Sequence, residues 1–341
     1  MYREAPASRY KSSSQFFAVP ATRSWSCAVH RVPVVNIFYF PSKMVVLVKR
    51  FGQLGNRLFL FANLLANAAE YGYALANPSF ARYAGFFAGP ATGDFDGLPV
   101  RVPVLARPGP ERLLAGLLGL VQRPVVFRGL QRLRSYLPAN GLPSLLYLPD
   151  ADATYDLRNP AYLAAARQQA VLLHGWCFRD RPSFRRHAAR LRAIFALVPP
   201  HQAAVAALLA RCRRTAQVLV GVHIRRGDYA TFANGQYYYD LPTYARQLAA
   251  LLPQFPAGQR VEFLLCSDED LDLRPFAGLP VHRPTGHFVE DLYALAGCDY
   301  VLGPPSSFSL WASFVGQVPL CHLHTPTQAV ALADFAVYED G

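Results

Sequence analysis

The sequence predicts an α/β protein built on parallel, doubly wound sheets, and three observations support that prediction. From Met44 onward, short apolar or β-branched runs alternate with amphipathic helical patterns. This alternation is most regular between residues 217 and 322. Hydrophobic residues make up 52% of the 341 residues and charged residues only 16%, so the chain can bury a large core and intrinsic disorder is excluded.

The first half of the chain opens with a predicted strand over residues 45–48 and a glycine-containing turn over residues 51–56. A helix is predicted to follow, because apolar residues recur at intervals that place them on one helix face. These residues are Leu58, Phe61, Ala62, Leu65 and Ala69. Residues 77–149 are rich in proline, glycine and arginine and give no clear pattern. The other predicted elements of this half are a strand over 171–176 and helices over 183–196 and 201–213.

The second half predicts a regular succession of strands and helices. The predicted strands are 217–224, 260–266, 300–302 and 318–322. The predicted helices between them are 241–252, 288–297 and 307–315. Repeated strand–helix order indicates a parallel sheet, and such sheets bind ligands beyond the carboxyl ends of their strands.

The chain divides into four predicted regions. Residues 1–43 contain three consecutive serines, scattered arginines and no sustained periodicity, so we expect a disordered or non-native extension, with a mitochondrial-type leader as the alternative. Pro199 and Pro200 mark the predicted boundary between an N-terminal domain over 44–199 and a C-terminal domain over 200–325, with a cleft between them. Residues 326–341 form a predicted C-terminal tail.

The formal net charge of +12 does not by itself indicate a nucleic-acid partner. Only three of the 34 basic residues are lysines, and no basic run is interleaved with stacking aromatic residues. Arginine binds phosphate in a bidentate manner, so a small phosphate-bearing molecule accounts for the charge equally well. The apolar runs are also far shorter than the roughly 20 residues of a membrane helix.

The six cysteines show no zinc or redox spacing. We therefore expect buried free thiols, a reducing compartment and a cytoplasmic location.

The first candidate site lies at the end of the strand over 217–224, where His223, Arg225 and Asp228 occur within six residues. An arginine at the carboxyl end of a strand can bind a diphosphate with both arms of its guanidinium group. The alternative is that Arg225 and Arg226 are surface residues paired with Asp228. A carboxylate is also the usual base that takes a proton from an attacking hydroxyl, and Asp228 is the first candidate for that role, with Glu290 second.

The second candidate site lies at the start of the helix over 307–315. Ser306 and Ser307 occur there, directly after a predicted strand. The free N–H groups and the positive dipole end of such a helix bind anionic oxygen well. The alternative is that the serines only cap the helix.

Two other patterns are weaker. Asp268, Glu269 and Asp270 have the D-x-D form of a metal site, but acidic triplets also favour helix starts electrostatically. His322 and His324 lack an identifiable third ligand, so we expect a structural role for them.

These motifs together resemble those of the α-1,2-fucosyltransferases of glycosyltransferase family 11. The order runs from Leu54-Gly55-Asn56-Arg57 through His223-Ile224-Arg225-Arg226-Gly227-Asp228 and Ser267-Asp268 to Asp291-Leu292 and Ser306-Ser307-Phe308-Ser309. Arg57 stands where the family usually has glutamine. The resemblance implies two Rossmann-like domains facing a cleft (a GT-B fold), with the donor site in the C-terminal domain.

The resemblance also implies an activity. It is the metal-independent, inverting transfer of L-fucose from GDP-fucose to a glycan hydroxyl, such as O2 of a galactose. The two alternatives are the same fold acting on another nucleotide sugar, and a non-catalytic nucleotide-binding or RNA-associated protein.

By position, the resemblance assigns roles to individual residues. Arg225 would bind the donor diphosphate, and His223 would line the same pocket. Asp291 would accept hydrogen bonds from guanine. The remaining assignments are phosphate contacts at Ser306 and Ser307 and a sugar-side cleft at Gly55 and Asn56.

Overall fold

The computed structural model describes residues 43–102, 120–135, 143–148 and 154–341. The predicted extension therefore lies outside the described residues, apart from Lys43. The described part of the chain forms two five-stranded sheets, and every strand pair in both sheets is parallel. The predicted α/β class with parallel sheets is confirmed.

The N-terminal sheet has the strand order β3-β2-β1-β6-β4. Its strands are β1 Met44–Leu47, β2 Ala74–Ala76, β3 Val100–Arg101, β4 Ser144–Tyr147 and β6 Val171–His174, and a separate pair joins β5 Tyr155–Asp156 to β7 Phe178–Arg179. The helices of this half are α1 Leu54–Tyr71, α2 Ala81–Ala84, α3 Ala88–Thr92, α4 Pro124–Ser135, α5 Pro160–Gln168, α6 Arg181–Arg186 and α7 Ala188–Ile194.

The C-terminal sheet has the order β10-β9-β8-β11-β12. Its strands are β8 Val218–Ile224, β9 Val261–Ser267, β10 Val281–His282, β11 Tyr300–Gly303 and β12 Leu320–His322. Its helices are α8 Pro199–Cys212, α9 Leu241–Leu251, α10 Phe288–Ala296 and α11 Ser307–Gly316. The two prolines predicted to mark a boundary are the first two residues of α8, where proline is well tolerated because its missing N–H has no partner in the helix.

One apolar core joins the two halves. Helix α1 is buried over most of its length and packs against α11, where the Phe59 and Trp311 rings meet at 5.2 Å. Phe195 meets the same tryptophan at 5.3 Å, and the cluster extends to Leu219 and Leu264 of the C-terminal sheet. Edge-to-face aromatic packing of this kind stabilises the relative position of the two sheets.

The predicted C-terminal tail crosses back to the N-terminal half. Its path begins beside β12, where Ala336 pairs with Leu320. The ring of Tyr338 then contacts Phe59 of α1 at 5.7 Å, and Asp340 forms an ion pair with Arg185 of α6 at 2.9 Å. We refer to residues 336–340 as the return segment.

Two local differences from the sequence prediction have simple causes. The helix expected over 183–196 is two helices, α6 and α7, because the backbone at His187 leaves the helical region. The strands β3 and β10 have only two residues each, too few to show a periodicity.

The cysteines of the described residues are free, and four of the five are buried, whereas Cys177 is only half-buried. None of the helices in the described part combines the length and the hydropathy that crossing a bilayer requires.

Candidate functional site

The site lies at the carboxyl ends of β8 and β11, which are neighbours in the C-terminal sheet. After β8 the chain adds strands on one side of the sheet, and from β11 it continues on the other side, so a crevice opens between the two strand ends. A Cβ atom on Gly303 would lie 2.6 Å from the carbonyl oxygen of His223, so only glycine permits this close approach. The two sequence motifs therefore adjoin.

Arg225 is held between two carboxylates. Its Nη2 lies 2.7 Å from Oδ1 of Asp228, and its Nη1 lies 3.2 Å from Oδ2 of Asp268. The side chains of Arg225 and Asp268 are only 16% and 11% exposed, whereas that of Asp228 is 42% exposed. The guanidinium group is thus fixed in orientation at the strand end. The surface pairing with Asp228, which the sequence left as an alternative, is present, but the arginine is largely buried.

The loop after β8 is hydrogen-bonded to the loops that follow β9 and β11. The amide of Arg226 donates to Oδ1 of Asp268 at 3.1 Å, and a Cβ on Gly227 would lie 2.5 Å from Oδ2 of the same aspartate. The hydroxyl of Tyr229 donates to the carbonyl of Pro305 at 2.6 Å. These contacts fix the two loops of the crevice relative to each other.

Helix α11 begins in the crevice with a serine cap. Ser306 is the N-cap residue, and its Oγ accepts a hydrogen bond from the amide of Phe308 at 3.2 Å. Ser306 therefore caps the helix, and its role toward a phosphate stays a prediction. A cap satisfies one of the free N–H groups, while the positive end of the helix dipole stays directed at the crevice.

The N-terminal half also contributes to the crevice. A Cβ on Gly55 would lie 2.6 Å from Oγ of Ser307 and 2.8 Å from the amide nitrogen of Phe308, so the starts of α1 and α11 touch. Nε2 of Gln53 donates to Oδ2 of Asp228 at 3.3 Å. Asn56, one residue further along α1, is half-buried. Glycine is needed at position 55 because a side chain there would push α1 and α11 apart.

His223 is buried and uncharged. Its ring stacks on that of Phe308 at 5.0 Å, and the residue is only 4% exposed. Burial, with the nearby charge of Arg225, lowers the pKa of His223 to about 3. Its Nδ1 is buried without a hydrogen-bond partner. A neutral imidazole at this position can orient a ligand but does not add positive charge to the crevice.

A groove of about 570 Å³ continues from the crevice along the ends of β9 and β10. Two segments line it: Ser267 to Leu271, with Leu273, and Arg283 to Gly286.

Asp291 lies behind the second of these segments. Its Oδ1 accepts from the Thr285 hydroxyl at 3.2 Å and from the Gly286 amide at 3.3 Å, while Oδ2 is buried without a partner. Burial raises the pKa of Asp291 to about 7, because these hydrogen bonds only partly offset the desolvation of the charged form.

Glu290 points to a different part of the molecule. Its carboxylate lies 2.7 Å from Nδ1 of His201. With His287, these groups form one candidate set of metal ligands among the described residues, since the donor atoms lie within 4.8 Å of one another. The two imidazole rings stack at 4.7 Å with planes 25° apart, so their lone pairs do not converge on a single ion. The cluster is better described as a hydrogen-bonded pair, His201 and Glu290, beside stacked rings.

The acidic triplet after β9 faces arginines. Asp268 pairs with Arg225 as described, and Glu269 lies 3.5 Å from Nε of Arg226. The sequence indicates Asp268 as a possible metal ligand and as part of the family motif, but it does not predict the contact with Arg225. That contact arises because β9 pairs with β8, which places residues 225 and 268 at the same sheet edge, and no local pattern indicates it.

His322, the last residue of β12, contacts the first turn of α11. Nε2 of His322 lies 3.2 Å from Oγ of Ser309, the third residue of α11. Burial lowers the pKa of His322 to about 4, so the ring is neutral.

The corresponding edge of the N-terminal sheet has a different character. Phe51, after β1, and Trp176, after β6, stack face to face at 4.7 Å with planes 5° apart. Both residues are half-buried. Two cations flank the stack: Lys49 lies 5.3 Å from the Phe51 ring centre and Arg179 lies 5.6 Å from that of Trp176.

The chain shares the GT-B fold of solved fucosyltransferase structures. A mutant of FUT1 from Arabidopsis thaliana in complex with GDP superposes with a TM-score of 0.56 at 14% identity, covering 86% of this chain and 73% of that one. The fucosyltransferase NodZ from Bradyrhizobium gives 0.51 at 17% identity, over 84% of this chain and 97% of its own.

A further structure is similar in fold: the NodZ α-1,6-fucosyltransferase soaked with GDP-fucose gives 0.50 at 18% identity, over 84% of this chain and 97% of its own. At this level of identity the likeness establishes the fold. No protein-family model and no curated protein sequence matches the chain.

Proposed function

We propose that the protein transfers L-fucose from GDP-fucose to a hydroxyl of a glycan acceptor, with inversion at the sugar and without a metal ion. The observation that carries the proposal is the adjacency of Arg225 and the start of α11 at one crevice. The similar structures support the nucleotide, since they are described as bound to GDP or soaked with GDP-fucose. The resemblance in motif order supports O2 of a galactose as the acceptor position.

Charge stabilisation is the main catalytic demand of this reaction. When the bond between fucose C1 and the diphosphate breaks, negative charge develops on the departing phosphate oxygens. We infer that the guanidinium of Arg225 and the dipole of α11, with Ser306 and Ser307, stabilise that charge. Fixed dipoles and cations are effective here because they need no reorganisation during the reaction. Neutral His223 would line the same pocket.

Asp268 and Asp228 would have different tasks in this scheme. Asp268 is nearly buried and holds Arg225 in place, so we infer a positioning role. Asp228 is more exposed and faces Gln53 of the N-terminal half. Its carboxylate is the candidate base that takes the proton from the acceptor hydroxyl as the oxygen attacks C1. Glu290 is less suited, because its carboxylate faces His201, outside the crevice.

Recognition of the base would occur in the groove beside Asp291. The unpartnered Oδ2 of this aspartate is a buried acceptor, and guanine offers two N–H donors on one edge. Gly55 and Asn56 would border the sugar, since α1 begins where α11 does. Residues 44–199 are then the acceptor-side domain and residues 200–325 the donor domain. The four buried free thiols support a cytoplasmic location.

The full chain should be tested with a panel of GDP-fucose, GDP-mannose and UDP-galactose. GDP or UDP release is measured with and without a β-galactoside acceptor, in buffer containing either EDTA or Mg²⁺, and the product linkage is determined by NMR. We expect acceptor-dependent release from GDP-fucose that EDTA does not change. A requirement for Mg²⁺ would contradict metal independence and return attention to the acidic triplet.

Two other outcomes would replace the proposal. Turnover with a different sugar nucleotide would keep the fold and reject the donor. Tight GDP binding without transfer to any glycan in an acceptor panel would favour the non-catalytic nucleotide-binding protein.

A further inference from the structure

Helix α4 packs on one face of the N-terminal sheet, and only one side of the helix makes this contact. Phe127 is fully buried. It packs among Met44 and Val46 of β1 and Val48, the residue that follows this strand. Nε2 of Gln131, one turn later, donates to the carbonyl of Leu145 at 3.1 Å. These two residues define the inward side of the helix.

The outward side of α4 carries apolar side chains beside arginines, whereas an ordinary surface helix is polar there. At 100° per residue, Val125 and Leu133 lie about 140° from the midpoint between Phe127 and Gln131, and Leu130 lies about 80° from it. Their exposed fractions are 82%, 37% and 55%, and Leu120, just before the helix, is 47% exposed. In the described part of the chain only six large hydrophobic residues are exposed, and four of them are in this stretch. Such clustering marks an interaction surface.

The charge around this apolar side has one sign. Arg123, Arg128 and Arg132 are exposed on and beside the helix. The sequence contains no acidic residue between Glu111 and Asp150, whereas it contains five arginines there. The apolar side together with these exposed arginines (residues 120–133) is called the α4 surface below.

We propose that the α4 surface docks onto a bilayer surface that contains anionic phospholipids. A helix that presents apolar side chains flanked by arginines inserts them at the boundary of headgroups and acyl chains, while the guanidinium groups bind lipid phosphates. A second copy of the chain fits less well, because face-to-face contact would bring the arginines of both copies together. The proposal does not depend on the reaction that the protein catalyses.

The test is co-sedimentation of the full chain with two kinds of vesicle. One contains phosphatidylcholine alone, and the other also contains about 30% phosphatidylglycerol, which is close to the anionic lipid content of a natural membrane. We expect binding to the anionic vesicles to exceed that to neutral vesicles by at least about fivefold. The double variant Leu130→Ser/Leu133→Ser and, separately, Arg123→Glu/Arg132→Glu should each lose this binding. Their thermal midpoints should equal that of the wild type, because the altered side chains are exposed.

Matched control variants distinguish binding through the α4 surface from nonspecific binding of the protein to vesicles. Phe232→Ser removes an exposed aromatic residue elsewhere, and Arg274→Glu reverses a charge on a side chain that is 91% exposed. Both should bind anionic vesicles like the wild type. Unchanged vesicle binding by the two α4 variants would overturn the proposal. So would light scattering that shows a wild-type dimer converted to a monomer by Leu130→Ser/Leu133→Ser, which would assign the surface to self-association.

Discussion

Both sheets are parallel and change direction beside their first strand, but the order of their last two strands differs and their carboxyl edges are very different. In the C-terminal sheet, the strand ends at the switch point present Arg225, two carboxylates and the start of a helix. In the N-terminal sheet, the equivalent strand ends present the stacked rings of Phe51 and Trp176. Topology therefore fixes where a ligand can bind in each half, and the residues after the strands decide which chemistry it meets.

The difference suggests a division of labour. Ionic groups and helix dipoles are suited to a diphosphate, whereas the rim of a half-buried aromatic stack with cations beside it is suited to contacts with the apolar parts and hydroxyls of a sugar. Two residues at the start of α1 contact the C-terminal edge. Gly55 contacts the start of α11, and Gln53 donates a hydrogen bond to Asp228. Four substitutions test this division, ordered from the largest expected effect to the smallest, and the last of them is followed by two pH-dependent measurements.

Replacing Arg225 by alanine should remove the main cation of the C-terminal edge. We expect the rate of transfer to fall by about 10²–10³, the usual cost of losing one such stabilising group. The measurement is kcat for GDP release from GDP-fucose, with circular dichroism to verify folding. Arg274→Ala, a change at an exposed arginine outside the crevice, is the control and should keep full activity. Wild-type kcat in the Arg225 variant would reject the assigned role.

Replacing Gly55 by alanine should separate the two edges. The new methyl group would lie 2.6 Å from Oγ of Ser307, so α1 and α11 must move apart. Because misplacement of reacting groups by about 1 Å can cost 10²-fold, we expect kcat to fall by about 10-fold to 100-fold. Gly85→Ala is the matched control, since no atom lies within 4 Å of the added Cβ and its φ of −65° suits alanine. Equal activity of the two variants would mean that this helix contact is dispensable.

Replacing Trp176 by alanine should affect the acceptor and spare the nucleotide. Loss of the stacked ring removes an aromatic contact worth roughly 0.5–1.5 kcal/mol, so KM for the acceptor should rise by about 2-fold to 10-fold. The dissociation constant of GDP, measured by calorimetry, should stay unchanged. A weaker GDP complex with an unaltered acceptor KM would reverse the assignment of the two edges.

The smallest effect concerns pH. The pKa of Asp291 is raised to about 7 in the folded protein, above its value in the unfolded chain. Its contribution to stability is therefore fully present at low pH and is lost as the pH rises through 7. Asp291→Asn should consequently raise the free energy of unfolding at pH 8 relative to the wild type, with a smaller difference at pH 5, as measured by urea denaturation.

The same carboxylate predicts the pH dependence of nucleotide binding. Guanine N–H donors favour ionised Asp291, so GDP binding should tighten as the pH rises from 6 to 8, by at most about tenfold per pH unit for this group. The Asp291→Asn substitution removes that component and leaves only the titration of the phosphate. Identical pH profiles for this variant and the wild type would show that the side chain does not sense the base.

Much of the fold could be predicted because its strands are strongly marked. Strand β8 is buried at every residue and appears in the sequence as a continuous apolar run, as expected for a parallel strand covered on both faces. Helix α1 was predicted from Leu58 onward, and it begins four residues earlier at Leu54, since its first turn has no acidic or capping side chain to mark the start.

The site was predictable to the level of motifs but not of contacts. The positions of Arg225 and Ser306 after strands indicated a shared edge, and the parallel pairing of β8 with β11 places them there. The ion pair between Arg225 and Asp268 joins residues 43 positions apart, and its existence depends on strand order, which no local pattern encodes. The burial of Asp291 likewise results from the packing of α10 behind the groove.

The return segment has a mechanical consequence. It leaves the C-terminal sheet beside Leu320 and reaches α1 and α6 through Tyr338 and Asp340. The connection into α8 is the covalent link between the halves, and the return segment adds a non-covalent strap, so a wide opening of the crevice must break the contacts of Tyr338 and Asp340. Such a strap opposes wide separation of the halves and favours an arrangement in which the aromatic edge stays close to the ionic one.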